Sequence, residues 1–316
     1  TGWTSSASPN LVTCSATACD GGTVGTRDAG TDWFTFVARL DGRSGTPLWV
    51  DIVRSPAHVD SRAIAYSAAD DTIVVGGAFI DTLLVDGATD GGFSGLSRVN
   101  DDDAWLLKLS GATGSFVWGR VFGQGSNDSV QSLAVDPAGN IYVGALYANL
   151  GAVAPLPAVP VLSPIVLKVS ASNQVQWGRV LLASSPVTPP RAGQFAPQNG
   201  YTQIGVLVAP DGGVVVSGWT NQTLSTGPMT IVTPSGSDEN LLFPLSEANG
   251  FQASRVLTFR ATAGAIATPV LAPNGNLFVS GTFAGTLTLP LDGGTLTKTS
   301  DAGLRDFFSA SLGRWP

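Results

Sequence analysis

Charged residues are scarce in this chain: Asp, Glu, Lys and Arg make up 12% of its 316 residues, about half the share usual for soluble domains. The 16 basic residues are scattered and are outnumbered by 23 acidic ones, so the net charge is −7. Nucleic-acid binding needs a basic patch or stripe, which this sequence lacks. No apolar run approaches the roughly 20 residues of a membrane span, so we expect no membrane-spanning segment.

Histidine and cysteine are almost absent. His58 is the single histidine, which excludes a multi-histidine metal site, and no Gly-x-Ser-x-Gly elbow supports a Ser-His-Asp hydrolase. We therefore predict no enzyme, with a hydrolase or lyase using carboxylate or calcium chemistry as the alternative. Cys14 and Cys19 are spaced to close a small disulfide loop, and such a bond would indicate an exported protein.

Helical periodicity is also missing, because no stretch sustains an apolar stripe of period 3.6. The chain contains 39 Gly and 20 Pro, and together with Ser and Thr these punctuate short β-branched runs as turns do between strands. Apolar residues make up 43%, which excludes a disordered chain. The composition predicts an all-β fold.

One four-strand pattern recurs about every seventy residues. Its clearest copy has strand A at 129–136, strand B at 141–147, strand C at 164–169 and strand D at 174–180. The turn at 137–140 contains Gly-Asn, and the same place holds Asp-Gly at 211–212 and Asn-Gly at 274–275, residues that tolerate positive φ. A lone meander leaves an apolar face uncovered, so the pattern predicts four-stranded antiparallel blades stacked as a β-propeller.

Two residue types mark the repeat. A glycine stands near the end of each strand B, at Gly2, Gly77, Gly144, Gly218 and Gly281. A tryptophan marks most D strands, at Trp49, Trp118, Trp177 and Trp315. Because these tryptophans recur at one position, we expect them to pack between blades and not to form a sugar-binding platform.

The repeat count predicts about five blades in a single domain, 1–316. A partial first blade covers 1–57 and lacks its strand A. Complete blades follow at about 58–125, 126–184, 198–260 and 264–316.

Asp101, Asp102 and Asp103 form the densest acidic cluster. Carboxylates with nearby carbonyls could bind Ca²⁺, but no Asp-x-Asp-x-Asp-Gly loop follows, and a solvated turn is the simpler interpretation. These three residues are weak calcium candidates, and we expect no other cofactor.

The motifs resemble a known repeat family. The segment 103–109, Asp-Ala-Trp-Leu-Leu-Lys-Leu, and the segment 133–144, Leu-Ala-Val-Asp-Pro-Ala-Gly-Asn-Ile-Tyr-Val-Gly, resemble bacterial SBBP-type β-propeller repeats. Such repeats occur in exported and surface proteins, including lipoproteins of myxobacteria and their relatives. The resemblance implies a propeller fold and export through a secretory pathway, but no activity.

We therefore expect a non-enzymatic scaffold that is extracellular or on the outer cell surface, and that could be a subunit of an assembly or filament. Its partners would be other proteins or copies of itself. The missing strand A of the first blade would be supplied by residues upstream of this sequence or, as the second option, by a strand donated from a neighbouring molecule. The alternative is a module that binds surface glycans or another ligand through loops on one propeller face. The variable loops lie at 5–30, 86–102, 148–163, 183–200 and 221–238.

Overall fold

The computed structural model describes residues 2–4, 12–15, 18–23, 33–85, 95–96, 101–123, 127–149, 158–184, 203–209, 213–220, 223–225, 230–231, 238–246, 250–251, 257–266, 269–291, 294–301 and 306–314. Every regular element among them is a β-strand, which confirms the all-β prediction. The chain divides into two compact units, Thr1–Val130 and Gln131–Pro316. Whether these units belong to one propeller domain, and how many blades there are, stay predictions.

Twelve strands begin in the first unit, and the last of them crosses into the second. They are β1 Gly2–Thr4, β2 Val12–Ser15, β3 Ala18–Thr23, β4 Trp33–Leu40, β5 Pro47–Ser55, β6 His58–Ser67, β7 Thr72–Ile80, β8 Thr82–Val85, β9 Gly95–Leu96, β10 Asp103–Ser110, β11 Phe116–Phe122 and β12 Ser129–Val135.

Fifteen further strands are described in the second unit. They are β13 Ile141–Asn149, β14 Val159–Val169, β15 Val175–Val180, β16 Leu182–Ala183, β17 Gln203–Val208, β18 Val214–Thr220, β19 Leu224–Ser225, β20 Thr230–Ile231, β21 Asp238–Ser246, β22 Gly250–Phe251, β23 Leu257–Ile266, β24 Val270–Leu271, β25 Asn276–Leu291, β26 Gly294–Thr299 and β27 Asp306–Arg314.

Two sheets show the complete A-B-C-D meander. One has the order β11-β10-β7-β6 and the other the order β12-β13-β14-β15, so each strand pairs with its neighbours in the repeat. The A–B turns follow their sequence: Asp71 and Gly139 take positive φ values of 48° and 81°, and Asp136 accepts hydrogen bonds from the Ala138 and Asn140 amides. These four-stranded antiparallel sheets confirm the predicted propeller-like fold.

The first repeat contains strands B, C and D in the order β1-β4-β5. Among the described strands, β1 pairs only with β4, and none occupies the place of strand A beside it. The hairpin β2–β3 follows β1 and forms a two-stranded sheet of its own.

The fourth and fifth repeats share one long strand, β23. Its first half pairs with strand C of the fourth repeat, β21, through Asp238↔Ala261 to Leu242↔Leu257. Its second half pairs with β25 of the fifth repeat, up to Ile266↔Gly281. Strand D of one repeat therefore runs directly into strand A of the next, and β24 completes that strand A opposite Phe278.

Successive repeats are also joined by a hairpin that the sequence did not predict. After strand B, the chain forms a short hairpin that pairs with strand D of the preceding repeat or with the short strand that directly follows strand D, and we call this element a strap. Straps occur at β8–β9 on β5, at β19–β20 on β16, and at β25–β26 on β23. Parts of the segments 86–102 and 221–238, which were predicted as loops of variable length, thus contribute to sheet pairing.

The core of each unit lies between the faces of successive sheets. In the first unit, Val37, Trp49 and Val53 of the first repeat pack with Val75 and Trp105 of the second. In the second unit, separate clusters join β13 and β14 to β17 and β18, and join β18 and β21 to β25. Strands such as β10 are buried along almost their whole length because both of their faces are covered.

No helix in the described residues is long and apolar enough to cross a membrane.

Candidate interaction surface

The three recurring tryptophans that lie in described D strands each pair with a cationic residue on strand C. The register pairs are Arg39↔Trp49, Lys108↔Trp118 and Lys168↔Trp177. The first of these pairs reaches the C–D turn of the next repeat, because Trp49 Nε1 and Arg39 Nη1 both donate to the Gly111 carbonyl, at 2.9 and 2.7 Å. This position therefore holds neighbouring repeats together, and little of the Trp49 surface stays accessible to a ligand.

The third tryptophan packs against the core cluster that joins the third and fourth repeats. The Trp177 ring meets Tyr142 edge-on, with centroids 6.1 Å apart, and Arg179 lies over its other side at 5.5 Å. Trp315 lies outside the described residues.

Two of the strand-B glycines are required by close backbone approach. A Cβ on Gly77 would overlap the carbonyl oxygen of Asp60 in strand A, and one on Gly218 would overlap that of Gln203. Gly144 pairs with Val166 of strand C. Its equivalent in the second repeat is Gly76, which pairs with Leu106. Gly144 is therefore one residue away from the position that corresponds to Gly77. Gly2 lies opposite Phe36, and Gly281 lies between Ile266 and Phe308.

The three consecutive aspartates have different surroundings. Asp103 is buried at the start of β10, Asp102 pairs with His58, and Asp101 precedes them at partial exposure. In the described ranges, no three His, Cys, Asp or Glu side chains converge as metal ligands. Calcium binding at this segment stays a prediction. Cys14 and Cys19 lie on the paired strands β2 and β3, but their side chains lie outside the described residues, so the disulfide also stays a prediction.

His58 lies at a junction between the first and second repeats. Its Nδ1 is 3.1 Å from Asp102 Oδ1, and Trp33 meets its ring edge-on with centroids 5.7 Å apart. The hydrogen bond to Asp102 raises the pKa of His58 above its usual 6.5, and burial only partly opposes that effect. We call His58, Asp102 and Trp33 the His58 junction.

A buried ion pair lies within strand A of the second repeat. Arg62 and Asp60 are joined by three hydrogen bonds of 2.8–3.0 Å, and Asp60 also accepts the Ala78 amide. The Asp60 carboxylate therefore links strand A to strand B.

A second ion pair links strand C to the A–B turn. Lys108 Nζ donates to Asp70 Oδ2 at 2.6 Å, and Ser67 and Thr72 donate to the other carboxylate oxygen. Burial alone would raise the pKa of Asp70, but the hydrogen bonds from Lys108, Ser67 and Thr72 outweigh it and lower that pKa to about 2.

The fifth repeat exposes apolar side chains on one face of its sheet. Val270 pairs with Phe278, and Phe307 pairs with Thr282, four residues from Phe278 and therefore on the same face. All three side chains are exposed, Phe307 by 72%. Residues of the opposite face, such as Leu277 and Val279, are buried against the fourth repeat. We call Val270, Phe278 and Phe307 the Phe307 face.

The Phe307 face, the His58 junction and the straps were not predicted from the sequence. Alternation of apolar and polar residues at 306–311 indicates a strand, but it cannot show which face a neighbouring repeat covers. The exposed Trp33 was available as a signal, since it is an aromatic residue outside the recurring tryptophan position.

The meander order and the packing of successive sheets define a protein built from propeller-type β repeats. Within it, residues 117–146, from β11 to β13, match the SBBP β-propeller repeat. The chain therefore contains an SBBP repeat, as its motifs indicated. No curated protein matches the sequence.

Proposed function

We propose that this protein is a non-enzymatic interaction scaffold that works outside the cell or on the outer cell surface, as a module or subunit of a larger assembly. The SBBP repeat supports the scaffold role, because β-propeller repeats generally mediate protein–protein interaction. The low charge, the closely spaced Cys14 and Cys19 and the resemblance to bacterial surface repeats support the location.

The Phe307 face is the observation that carries the scaffold role. Three large apolar side chains are presented together on a flat strand surface, although the other face of the same sheet is buried. Burial of each such side chain contributes roughly 1.5–3 kcal/mol, and aromatic residues are frequent among the residues that dominate binding energy. Such a surface suits a partner protein better than a small polar substrate.

The polar side chains support a structural role. His58 pairs with Asp102 and Lys108 pairs with Asp70 across different elements of the fold, and Asp60 pairs with Arg62 within strand A. Their charges stabilise the junctions between strands, and catalysis would require them to be available to a substrate.

A photo-crosslinking residue placed at Phe307 tests the scaffold role in cells that produce the protein. We expect one protein adduct of defined mass, and we expect it to be lost when Phe278 is changed to Asp. The control position is Leu48, which is similarly apolar and exposed and should give no such adduct. Equal crosslinking from both positions would contradict the proposal.

Two measurements test the location. External protease should degrade the protein on intact cells while a cytosolic marker survives. Cys14 and Cys19 should resist alkylation until a reductant is added, which mass spectrometry resolves. Protection from protease together with freely reacting thiols would place the protein inside the cell.

Carbohydrate binding is a second candidate function, favoured by the exposed Trp33 beside His58 and Asp102. An aromatic ring next to two hydrogen-bonding side chains suits a sugar ring, with stacking on one side and polar contacts at the edge. A glycan array should then give hits that Trp33→Ala removes. An array without hits would exclude this function and leave the scaffold role intact.

A further inference from the structure

The strap of the fifth repeat has a longer outer strand than the other described straps. This strand, β26, has six residues, whereas β9 and β20 have two residues each. All six pair with β25 in one register that contains no bulge, from Thr286↔Thr299 to Leu291↔Gly294. The next strand of the chain, β27, pairs with the first half of β25. Among the described strands, β25 is therefore the one neighbour of β26.

The outer edge of β26 is accessible. Thr295, Leu296, Thr297, Lys298 and Thr299 are all exposed, so both faces of the strand reach solvent. Alternate backbone amides and carbonyls of an edge strand point away from its neighbour and can pair with a further strand. Proteins protect such edges with short strands, Pro, bulges or charged residues, and of these devices β26 has only Lys298. Its threonines favour extended pairing.

The sequence of β26 is compatible with pairing to an identical strand. When two β26 strands run antiparallel with Thr297 opposite Thr297, every threonine of one strand lies opposite a threonine of the other, and Leu296 lies opposite Lys298. Threonine pairs stabilise a sheet, and like charges directly opposite each other destabilise it. A register centred on Lys298 would place two lysines directly opposite each other. The register centred on Thr297 avoids that repulsion.

We propose that the β26 edges of two copies of this chain pair in the register centred on Thr297 and form a dimer. Both copies use the same strand, so the contact is isologous and closes at two copies. Neither copy gives up a strand of its own sheets, because the pairing uses only the outward side of β26. The contact is separate from the Phe307 face that carries the proposed function, so it goes beyond that function.

The dimer should be weak and reversible. One strand from each copy buries less area than a standard protein interface, so we expect a dissociation constant on the order of 100 μM. The Lys298 side chains of the two copies are diagonal neighbours in the proposed register, and their repulsion opposes pairing. Replacing Lys298 with Thr should therefore tighten the dimer by about threefold or more.

Sedimentation velocity of the full chain, from about 5 to about 500 μM, tests the proposal across this weak range. The parent should shift from monomer to dimer as its concentration rises. Thr297→Lys places two lysines opposite each other and should weaken the dimer tenfold or more. Val117→Lys is the matched control, because it adds the same charge at an exposed position of another edge strand, β11. It should dimerise as the parent does.

Disulfide formation tests the register, with Cys14 and Cys19 changed to Ser. Thr297→Cys brings the two cysteines opposite each other and should give a covalent dimer under mild oxidation. Thr295→Cys is the control, because residue 295 of one copy lies opposite residue 299 of the other. Its covalent dimer should form at least tenfold more slowly.

Four results would overturn the proposal: a monomer at every concentration, equal weakening by Thr297→Lys and Val117→Lys, a Thr297→Lys dimer as tight as that of the parent, or equally fast crosslinking of the two cysteine variants. A photo-crosslinker at Thr297 that captures a different protein in cells, and no second copy, would assign the edge to that protein and also overturn it. Crosslinking from Phe307 tests the scaffold role separately, because Phe307 lies on β27.

Discussion

The pair formed by Lys108 and Asp70 makes a sharp prediction about stability, because its two members are buried unequally. The Lys108 side chain is 2% exposed and that of Asp70 is 38% exposed. Removing the carboxylate leaves a cation inside the sheet, whereas removing the cation leaves a carboxylate that water can still reach. We therefore expect Asp70→Asn to destabilise the protein more than Lys108→Met.

The magnitudes follow from the same geometry. Breaking a buried pair by removing one partner costs about 3–5 kcal/mol, and the partial exposure of Asp70 reduces this to roughly 1.5–3 kcal/mol for Asp70→Asn. Replacing Lys108 with Met keeps the apolar stem and removes the buried charge, so its cost should stay under about 1 kcal/mol. The double variant should resemble Lys108→Met alone.

The same pair predicts a dependence on pH. The pKa of Asp70 is about 2 in the folded chain against an ordinary 3.8, which corresponds to about 2.5 kcal/mol without screening and to about 1 kcal/mol at this exposure. Because the folded pKa is the lower one, this stabilisation is present above pH 4 and is lost as the pH falls towards 2.

Urea unfolding of the parent, the two single variants and the double variant, each from pH 7 to pH 2, measures both effects. The advantage of the parent over Asp70→Asn should shrink below pH 4. A larger cost for Lys108→Met than for Asp70→Asn, or a difference that does not change with pH, would refute this account of the pair.

Three further changes test the packing. The pKa of His58 is raised in the folded chain, so its pairing with Asp102 stabilises the fold below about pH 6.5 and weakens as the pH rises through the folded pKa. In urea titrations from pH 6 to 9, His58→Gln should remove up to about 1 kcal/mol of this pH dependence of the unfolding free energy. Gly77→Ala should cost about 2–3 kcal/mol because its Cβ meets the strand-A backbone, whereas Gly42→Ala, where a Cβ meets nothing, should change thermal stability little. Trp49→Phe should cost about 1 kcal/mol in urea by losing the hydrogen bond to Gly111, and a neutral result would contradict the packing role of this position.

The long strands and their order could be predicted because their signals are local. Turn residues such as those at 136–140 fix where a hairpin folds, and runs such as 73–76 are apolar enough to identify a buried strand. These two signals recur along the chain, and that recurrence is sufficient to predict the meander.

The straps and the exposed surfaces could not be predicted because their cause is not local. Strands of two residues, such as Leu224–Ser225, are too short to show a period, and their pairing partner, β16, belongs to the preceding repeat. The partner of Lys108 is 38 residues away in sequence, so no local pattern identifies it. The sequence repeat predicted which positions are equivalent, but it did not predict that the surroundings of equivalent positions differ.

Oxidative crosslinking across two straps tests most directly whether a strap joins the second repeat to the first and another joins the fourth repeat to the third. Cysteines replace Val53 and Val85 in one variant, and Ala183 and Leu224 in another, with Cys14 and Cys19 changed to Ser. These are register partners, whose Cα separation of roughly 4.5–5.5 Å suits a disulfide. We predict that both pairs form disulfides in the folded protein and that the shifted pairs, Val53 with Leu84 and Ala183 with Ser225, do not. Crosslinking of the shifted pairs to the same extent would contradict the account.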